Sequence, residues 1–252
     1  MHNPQTFEYD LVTPSNLTSK EIIMIGRTND REKRFELGIK AMENIIKEIP
    51  DSKMNIIGKY NSKLSRIISD LNLTDYVNFS GFHSNIKEHL KSASLHILTS
   101  FAEAYPMVLS ETKIFGIPTI LCGLDYLALA KGGTVNIYDD NPETIAKEAI
   151  KILKDDKYRK ELGNEARKSM EKIRNNLIAK RWVKLFLSVY KDNKDNKDNN
   201  DKYFKKLVSE DGRKKLSKEE AEKILNNQLK LWIKRIPILG NTNISTVKSF
   251  FC

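Results

Sequence analysis

Short apolar runs alternate with longer amphipathic stretches between residues 21 and 154. The runs have the length of buried strands, and the stretches between them carry apolar residues at helical spacing. The predicted strands are 21–26, 54–58, 76–80, 95–98, 118–121 and 134–138. The predicted helices are 33–49, 62–71, 85–92, 106–116 and 142–154. This alternation predicts βαβ units and a parallel sheet with helices on both faces.

The six strands predict an α/β protein with a single Rossmann-like domain over residues 21–190. Residues 157–190 complete this domain as two helices, and the second has an apolar stripe that is typical of packing. The stripe consists of Trp182, Leu185, Phe186 and Tyr190. Residues 1–20 are polar and contain Pro4 and Pro14, so they are predicted to be an extended linker rather than the start of the core.

The composition changes at Lys191, where a charged, low-complexity run begins. Residues 191–201 are predicted to be a disordered linker, because a run without apolar residues buries too little surface to offset its ordering entropy. Residues 202–252 are predicted to form a basic helical tail, in which 217–236 read as a capped, amphipathic helix. Two interpretations stay open for that helix: packing against a partner domain, or peripheral contact with an anionic membrane surface.

The net charge of +10 lies mostly in the tail, since residues 191–252 hold 15 basic and 9 acidic residues. Nucleic acid is not an expected partner, because few aromatic residues accompany these basic residues. No signal peptide or membrane-spanning run is visible, which predicts a soluble, cytoplasmic protein. Cys122 and Cys252 lack metal-ligand spacing and the four histidines are scattered, so no zinc site is predicted.

The stretch 100–120 carries the clearest candidate chemistry. It reads as strand, loop, helix and turn, with Glu103 in the loop and Glu111 in a helix that begins at Pro106 and ends at Gly116. Open α/β sheets bind ligands at this end of their strands. If the interval were helical, the two glutamates would be about 12 Å apart along the axis. A glycosidase pair needs about 5–9.5 Å, so the spacing favours two separate contacts with one long ligand.

Basic residues follow the first predicted strand. Gly26 and Arg27 end it, and Lys33 and Arg34 stand at the next helix start, where a helix dipole disfavours positive charge. We therefore interpret them as a phosphate site rather than as solvated first-turn residues. The competing interpretation of Glu103 as a helix cap and Glu111 as an exposed helical residue would leave these basic residues unexplained.

Three motifs carry a family resemblance. They are GRTNDREKRFELGIKAM at 26–42, VNFSGFHSNIKEHLKSA at 77–93 and TSFAEAYPMVLSETKIFGIPTI at 99–120. Together they resemble the donor-binding C-terminal half of a GT-B glycosyltransferase of the retaining family 4, whose E-x7-E motif Glu103 and Glu111 match. The resemblance covers about residues 3–190, and Asn3-Pro4 resembles the family's interdomain linker, which implies that residues 1–20 are a remnant of that linker. It implies that the acceptor-binding N-terminal GT-B domain is missing here, so that the isolated half is expected to be inactive.

The resemblance also implies roles for the site residues. Arg27 and Lys33 would hold the diphosphate of a UDP-, GDP- or ADP-sugar, Glu103 would contact sugar hydroxyls, and Glu111 would contact the ribose. The remaining donor-binding residues implied are Gly26, Gly81, Phe82, Ala104, Tyr105, Pro106, Met107 and Val108. The family typically needs no metal. A rival hypothesis is a non-catalytic adaptor with the same fold that acts through its basic tail.

Overall fold

The computed structural model describes residues 3–182. One compact unit spans Gln5–Arg174 and contains the whole sheet. Of the second unit, which comprises residues 1–4 and 175–252, the structure describes residues 3, 4 and 175–182, and the last eight are helical. The predictions for the helix beyond 182, for the charged linker and for the basic tail concern residues outside the described part.

The six predicted strands form one parallel sheet. They are β1 (Glu21–Ile25), β2 (Lys53–Ile57), β3 (Val77–Gly81), β4 (Leu95–Leu98), β5 (Thr119–Cys122) and β6 (Thr134–Ile137). Their order is β3-β2-β1-β4-β5-β6, and every pair is parallel. The chain therefore reverses its direction of winding between β1 and β4, where a crevice opens at the carboxyl ends of the strands. The predicted α/β class and parallel sheet are confirmed.

Six helices pack with the sheet in Gln5–Arg174. They are α1 (Phe35–Glu48), α2 (Ser62–Asp70), α3 (Lys87–Ser92), α4 (Met107–Ile114), α5 (Pro142–Lys154) and α6 (Asp156–Ser169). Side chains of α1, α2 and α5 share one hydrophobic core with the strands, whereas α4 packs against α6. Gly38 allows the close approach of α1, because a Cβ there would lie 2.4 Å from the sulfur of Met24 on β1.

Helix α4 ends as predicted, at Gly116. This glycine has a φ of +71°, and its amide donates to the carbonyl of Lys113 while the amide of Ile117 donates to the carbonyl of Thr112. These two bonds form a Schellman motif, which satisfies carbonyls that the helix end leaves open. Pro106 occupies the N-cap rather than the first helical position.

The start of α1 differs from the prediction. Residues Arg31–Lys33 form a 3-10 turn, and Arg34 then takes a left-handed conformation with φ 47° before α1 begins at Phe35. A left-handed residue cannot continue a helix, so the predicted start at Lys33 is wrong by two residues. Lys33 consequently lies in the loop after β1.

The polar segment before β1 is part of the compact unit. Val12 and Leu17 are buried, and the amide of Ser15 donates to the carbonyl of Phe115 at 2.8 Å. Arg167 of α6 donates to the carbonyls of Tyr9 and Val12. The expectation that residues 1–20 lie outside the core is therefore wrong for residues 5–20, because their carbonyls and apolar side chains find partners on the domain. Their role as an interdomain linker stays a prediction.

Candidate functional site

Two loops meet at the carboxyl ends of β1 and β4, and hydrogen bonds to backbone carbonyls join them. The Thr99 hydroxyl donates to the carbonyl of Lys33 at 2.6 Å, and the Phe101 amide donates to the carbonyl of Glu32 at 2.9 Å. In the other direction, Nε of Arg34 donates to the carbonyl of Thr99 at 2.8 Å. The register Ile22 with Leu95 sets these loops side by side. The switch point is thus a fixed surface rather than two independent loops.

Lys33 and Glu103 form an ion pair across the crevice. Their side chains are only 19% and 12% exposed, so solvent screens the pair weakly. Tyr126, from the loop after β5, holds Glu103 from the other side: its hydroxyl accepts from the Glu103 amide and donates to the Glu103 carbonyl, both at 3.0 Å. The predicted lysine and glutamate are therefore brought into direct contact, with their geometry set by three loops.

Arg27 lies apart from this pair. Its side chain is 85% exposed and pairs with Asp30 at 2.9 Å. An exposed ion pair of this kind contributes little to stability, so the guanidinium can exchange Asp30 for another anion at low cost. The structure places Arg27 at the same sheet edge as Lys33 but does not join the two.

Glu111 lies on α4 and lines a cavity of about 440 Å³. Ile25 at the end of β1 and residues 83–87, before and at the start of α3, line the same cavity. The Thr6 hydroxyl donates to Oε1 of Glu111 at 2.5 Å. Burial raises the pKa of Glu111 above its ordinary value, and the hydrogen bond from Thr6 opposes that rise. Glu111 is therefore a half-buried carboxylate with a neutral partner.

The amino end of α4 lies between the two glutamates. No side chain caps it, and the helix begins at Met107 after Pro106. Uncapped N–H groups at a helix start attract anions, so Met107 and Val108 offer donors to a phosphate beside Ala104 and Tyr105. The Tyr105 hydroxyl accepts from Gln5 at 3.1 Å, and burial raises its pKa.

Two of the predicted donor-binding residues, Gly81 and Phe82, lie at the end of β3 and directly after it. Gly81 has a φ of +83°, which a side chain would strain, and Phe82 after it is 76% exposed. Most exposed large apolar side chains of the described residues follow the carboxyl end of a strand. Those at this edge are Tyr60, Phe82, Phe101, Tyr126 and Tyr138. Flat aromatic faces at a ligand-binding edge suit stacking with rings of a ligand.

The loops after β1 and β2 approach each other closely. The Gly26 amide donates to the carbonyl of Ile57 at 3.1 Å. A Cβ at Gly58 would lie 2.4 Å from the carbonyl oxygen of Gly26, so only glycine fits at position 58. The second loop thus supports the backbone that leads to Arg27.

Several buried groups with shifted pKa values belong to the scaffold. Desolvation lowers the pKa of His96 on β4 to about 3 and raises that of Cys122 on β5 to about 11. Lys113 on α4 is buried, donates to the carbonyls of Leu129 and Lys131, and has a pKa lowered to about 8. In residues 3–182, no group of three or more His, Cys, Asp and Glu side chains could hold a metal ion.

The sequence did not point to three of the side chains that build the site. Thr6, Tyr126 and Asp140 contact Glu111, Glu103 and Arg34 respectively, the last at 2.5 Å. Each lies far along the chain from its partner, and none belongs to a motif. Tyr126 had the only visible signal, as a lone aromatic residue in a glycine-flanked loop that follows a strand.

The family described as glycosyl transferases group 1 matches residues 7–169. Among curated proteins, the chain is 27% identical over 185 residues to N-acetyl-alpha-D-glucosaminyl L-malate synthase of Bacillus anthracis, with 71% of this chain and 48% of that protein covered. It is 26% identical to an alpha-1,4-N-acetyl-D-galactosaminyltransferase of Campylobacter jejuni that acts on a PP-undecaprenol-linked glycan, with 74% and 54% covered. The chain therefore spans about half the length of these relatives.

Solved structures show the same fold. S. aureus TarM, crystallised as a mutant with UDP among its ligands, aligns with a TM-score of 0.61 and 24% identity, covering 73% of this chain and 37% of that one. Anabaena HepE in complex with UDP and glucose aligns with a TM-score of 0.64 and 16% identity, covering 72% and 55%. No helix within residues 3–182 is long and apolar enough to cross a membrane.

Proposed function

Because the chain belongs to the glycosyl transferases group 1 family, we propose that it is the donor-binding half of a retaining, family 4-like glycosyltransferase. It binds a nucleoside-diphosphate sugar, and a separate N-terminal GT-B domain binds the acceptor. One observation carries this proposal: the Lys33–Glu103 pair lies at the topological switch point, beside the uncapped start of α4. Cation, carboxylate and helix terminus are the groups that a sugar diphosphate needs.

Each part of the donor has a matching part of the site. The diphosphate lies against the start of α4 and takes charge-assisted hydrogen bonds from Lys33 and Arg27. Glu103 accepts from the sugar hydroxyls, and Glu111 accepts from the ribose hydroxyls. The base reaches the loop of Gly81 and Phe82. The cavity beside Glu111 has about 440 Å³, which is within the range of small-molecule sites.

The chemistry follows from the charges that develop in transfer. The bond from the anomeric carbon to the diphosphate oxygen breaks, and its electron pair stays on the diphosphate. An acceptor hydroxyl bonds to that carbon on the same face, and its proton goes to the departing phosphate. Fixed donors near the phosphate lower this barrier, because they need no reorganisation during reaction. Lys33 has three protons, so it can keep Glu103 while it binds phosphate. We propose that no metal takes part.

The acceptor is proposed to be a glycan or glycoconjugate. The Campylobacter relative acts on such a molecule, and the chain spans 54% of it. A non-catalytic adaptor is not favoured, because the ion pair, the uncapped helix start and the cavity beside Glu111 support donor binding.

Isothermal titration with UDP-, GDP- and ADP-sugars tests the proposal. We expect one nucleotide series to bind, and Lys33→Gln to weaken that binding about 10- to 100-fold, the loss expected for a hydrogen bond to a charged group. Lys40→Gln makes the same charge change on an exposed face of α1 and should leave the affinity unchanged. A folded protein that binds none of the three series would refute the proposal.

A further inference from the structure

Residues 5–7 belong to the segment before the sheet, and their side chains contact α4 and its flanking residues. Nε2 of Gln5 donates to the Tyr105 hydroxyl at 3.1 Å, and the Thr6 hydroxyl donates to Glu111 at 2.5 Å. Phe7 packs edge-on against Phe115, with ring centroids 5.2 Å apart. Three consecutive side chains thus contact the approach, the middle and the end of α4. Specific side-chain contacts therefore hold the segment against the helix.

Thr6 and Glu111 line the same cavity. An ionised carboxylate offers two oxygens with about four acceptor sites, and Thr6 uses one of them, on Oε1. The carboxylate can therefore keep Thr6 and still accept hydrogen bonds from a ligand in the cavity. A pair of vicinal hydroxyls is the ligand group that matches a carboxylate held in a fixed plane.

We propose that Thr6 is a positioning residue for ribose recognition: its hydroxyl fixes the plane of the Glu111 carboxylate so that it accepts from the ribose hydroxyls of a nucleoside diphosphate. The inference rests on the proposed donor-binding function of the same site. It adds a residue outside every motif of the domain, and it makes residues 5–7 part of the nucleotide pocket.

The surroundings of Glu111 explain why a neutral donor is needed. Burial disfavours the ionised carboxylate, and a hydrogen bond from Thr6 stabilises that form without adding a charge. Without the hydroxyl, the side chain would be free to rotate about its terminal torsion, which is broad for glutamate. The ribose would then meet an acceptor that has to be ordered on binding, at a cost in affinity.

The test compares Thr6→Val with Thr6→Ser in the full chain. The probes are the diphosphate of the nucleotide series that the parent protein binds and its 2′,3′-dideoxy analogue, measured by titration calorimetry. Thr6→Val should weaken the ribonucleotide about 10-fold and change the dideoxy analogue less than about 2-fold, because only the hydroxyl contacts are lost. Thr6→Ser keeps the hydroxyl and should retain the parent's preference.

Thr13→Val is the matched control, since it removes a hydroxyl from an exposed position in the same segment. Equal losses for both probes in Thr6→Val would overturn the inference, because a detached segment would weaken all binding alike. An unchanged preference would overturn it as well. If the parent binds no nucleoside diphosphate, the proposed function itself fails, which is a distinct result.

Thr6→Ala removes the same hydroxyl with a smaller side chain and replaces Thr6→Val throughout if that variant folds poorly. A double variant then tests whether Thr6 acts through Glu111. In a Glu111→Gln background, the preference for ribose is already reduced, and adding Thr6→Val should reduce it no further. Independent, additive losses in the double variant would show that Thr6 does not act through Glu111 and would overturn the inference.

Discussion

Glu103 and Glu111 belong to one strand–loop–helix stretch, but their surroundings are opposite. Glu103 faces an ammonium, that of Lys33, and its backbone is held by the Tyr126 hydroxyl. Glu111 faces a neutral hydroxyl, that of Thr6, and burial raises its pKa. Glu103 has an opposite charge beside it, whereas Glu111 has only a hydroxyl donor, and burial disfavours its ionised form. A fold can therefore give two identical side chains of one stretch different electrostatic surroundings.

Reversing the charge of the Glu103 partner should have the largest effect on nucleotide affinity. Lys33→Glu places a second carboxylate beside Glu103, and we expect nucleotide affinity to fall at least about 100-fold, since both pairing and phosphate binding are lost. The double variant Lys33→Glu with Glu103→Lys restores opposite charges. Its stability in urea should return to within about 1 kcal/mol of the parent, while its affinity stays low.

The double variant separates two roles of the pair. If the swapped pair also restored nucleotide affinity, Lys33 would matter only for holding Glu103 and not for the phosphate. Urea unfolding and calorimetric titration on the same samples measure the two quantities.

Neutralising each glutamate in turn should change the free energy of unfolding by different amounts. Glu103→Gln leaves the poorly exposed Lys33 without a counter-charge and should lower the free energy of unfolding by about 1–3 kcal/mol. Glu111→Gln removes a charge that burial disfavours, so the free energy of unfolding should stay within about 1 kcal/mol of the parent or rise. Equal losses in both variants would contradict the difference in surroundings.

The contribution of Glu111 to the free energy of unfolding should depend on pH. Its pKa is raised above the ordinary 4.5, so between the two values the folded state binds more protons than the unfolded state. The contribution of Glu111 is therefore most favourable below pH 4.5 and is lost as the pH rises through its folded pKa. The difference in unfolding free energy between parent and Glu111→Gln, followed by urea titration, should change in that direction.

The smallest expected effect is at Tyr126. Tyr126→Phe removes the hydroxyl that bridges the amide and carbonyl of Glu103, and we expect a loss of about 1 kcal/mol in unfolding free energy and a few-fold loss in nucleotide affinity. Tyr76→Phe removes a tyrosine hydroxyl directly before β3, at the opposite edge of the sheet, and serves as the control. An unchanged affinity in Tyr126→Phe would show that the loop holds Glu103 without this bridge.

The strands could be predicted from the sequence because each is a short run with apolar residues between helical stretches, although only β4 and β5 are buried at every position. Helix ends could be predicted where a residue type marks them, as Gly116 does. The start of α1 could not, because Arg34 takes a left-handed conformation that its residue type does not favour.

The sequence named candidate residues such as Lys33 and Glu103, but it did not predict the contacts between the side chains. Lys33 and Glu103 were both identified, yet their ion pair depends on the pairing of β1 with β4, which no local pattern encodes. Thr6 was missed because a polar segment with two prolines reads as a linker. The hydrogen bonds that join this segment to α6, from Arg167 to the carbonyls of Tyr9 and Val12, are visible only in the structure.

Because β1 and β4 are neighbours in the sheet, the site forms only when the two halves of the sheet are joined. Ile22 pairs with Leu95, so Lys33 can reach Glu103 only after a loop of about 70 residues has closed, at an entropic cost that local structure does not repay. A chain with only β1–β3 assembled has the lysine and not its partner. Nucleotide binding would then report on the joined sheet alone, and ligand would stabilise that state by mass action. A fluorescent nucleotide would thus follow the joining of β1 to β4.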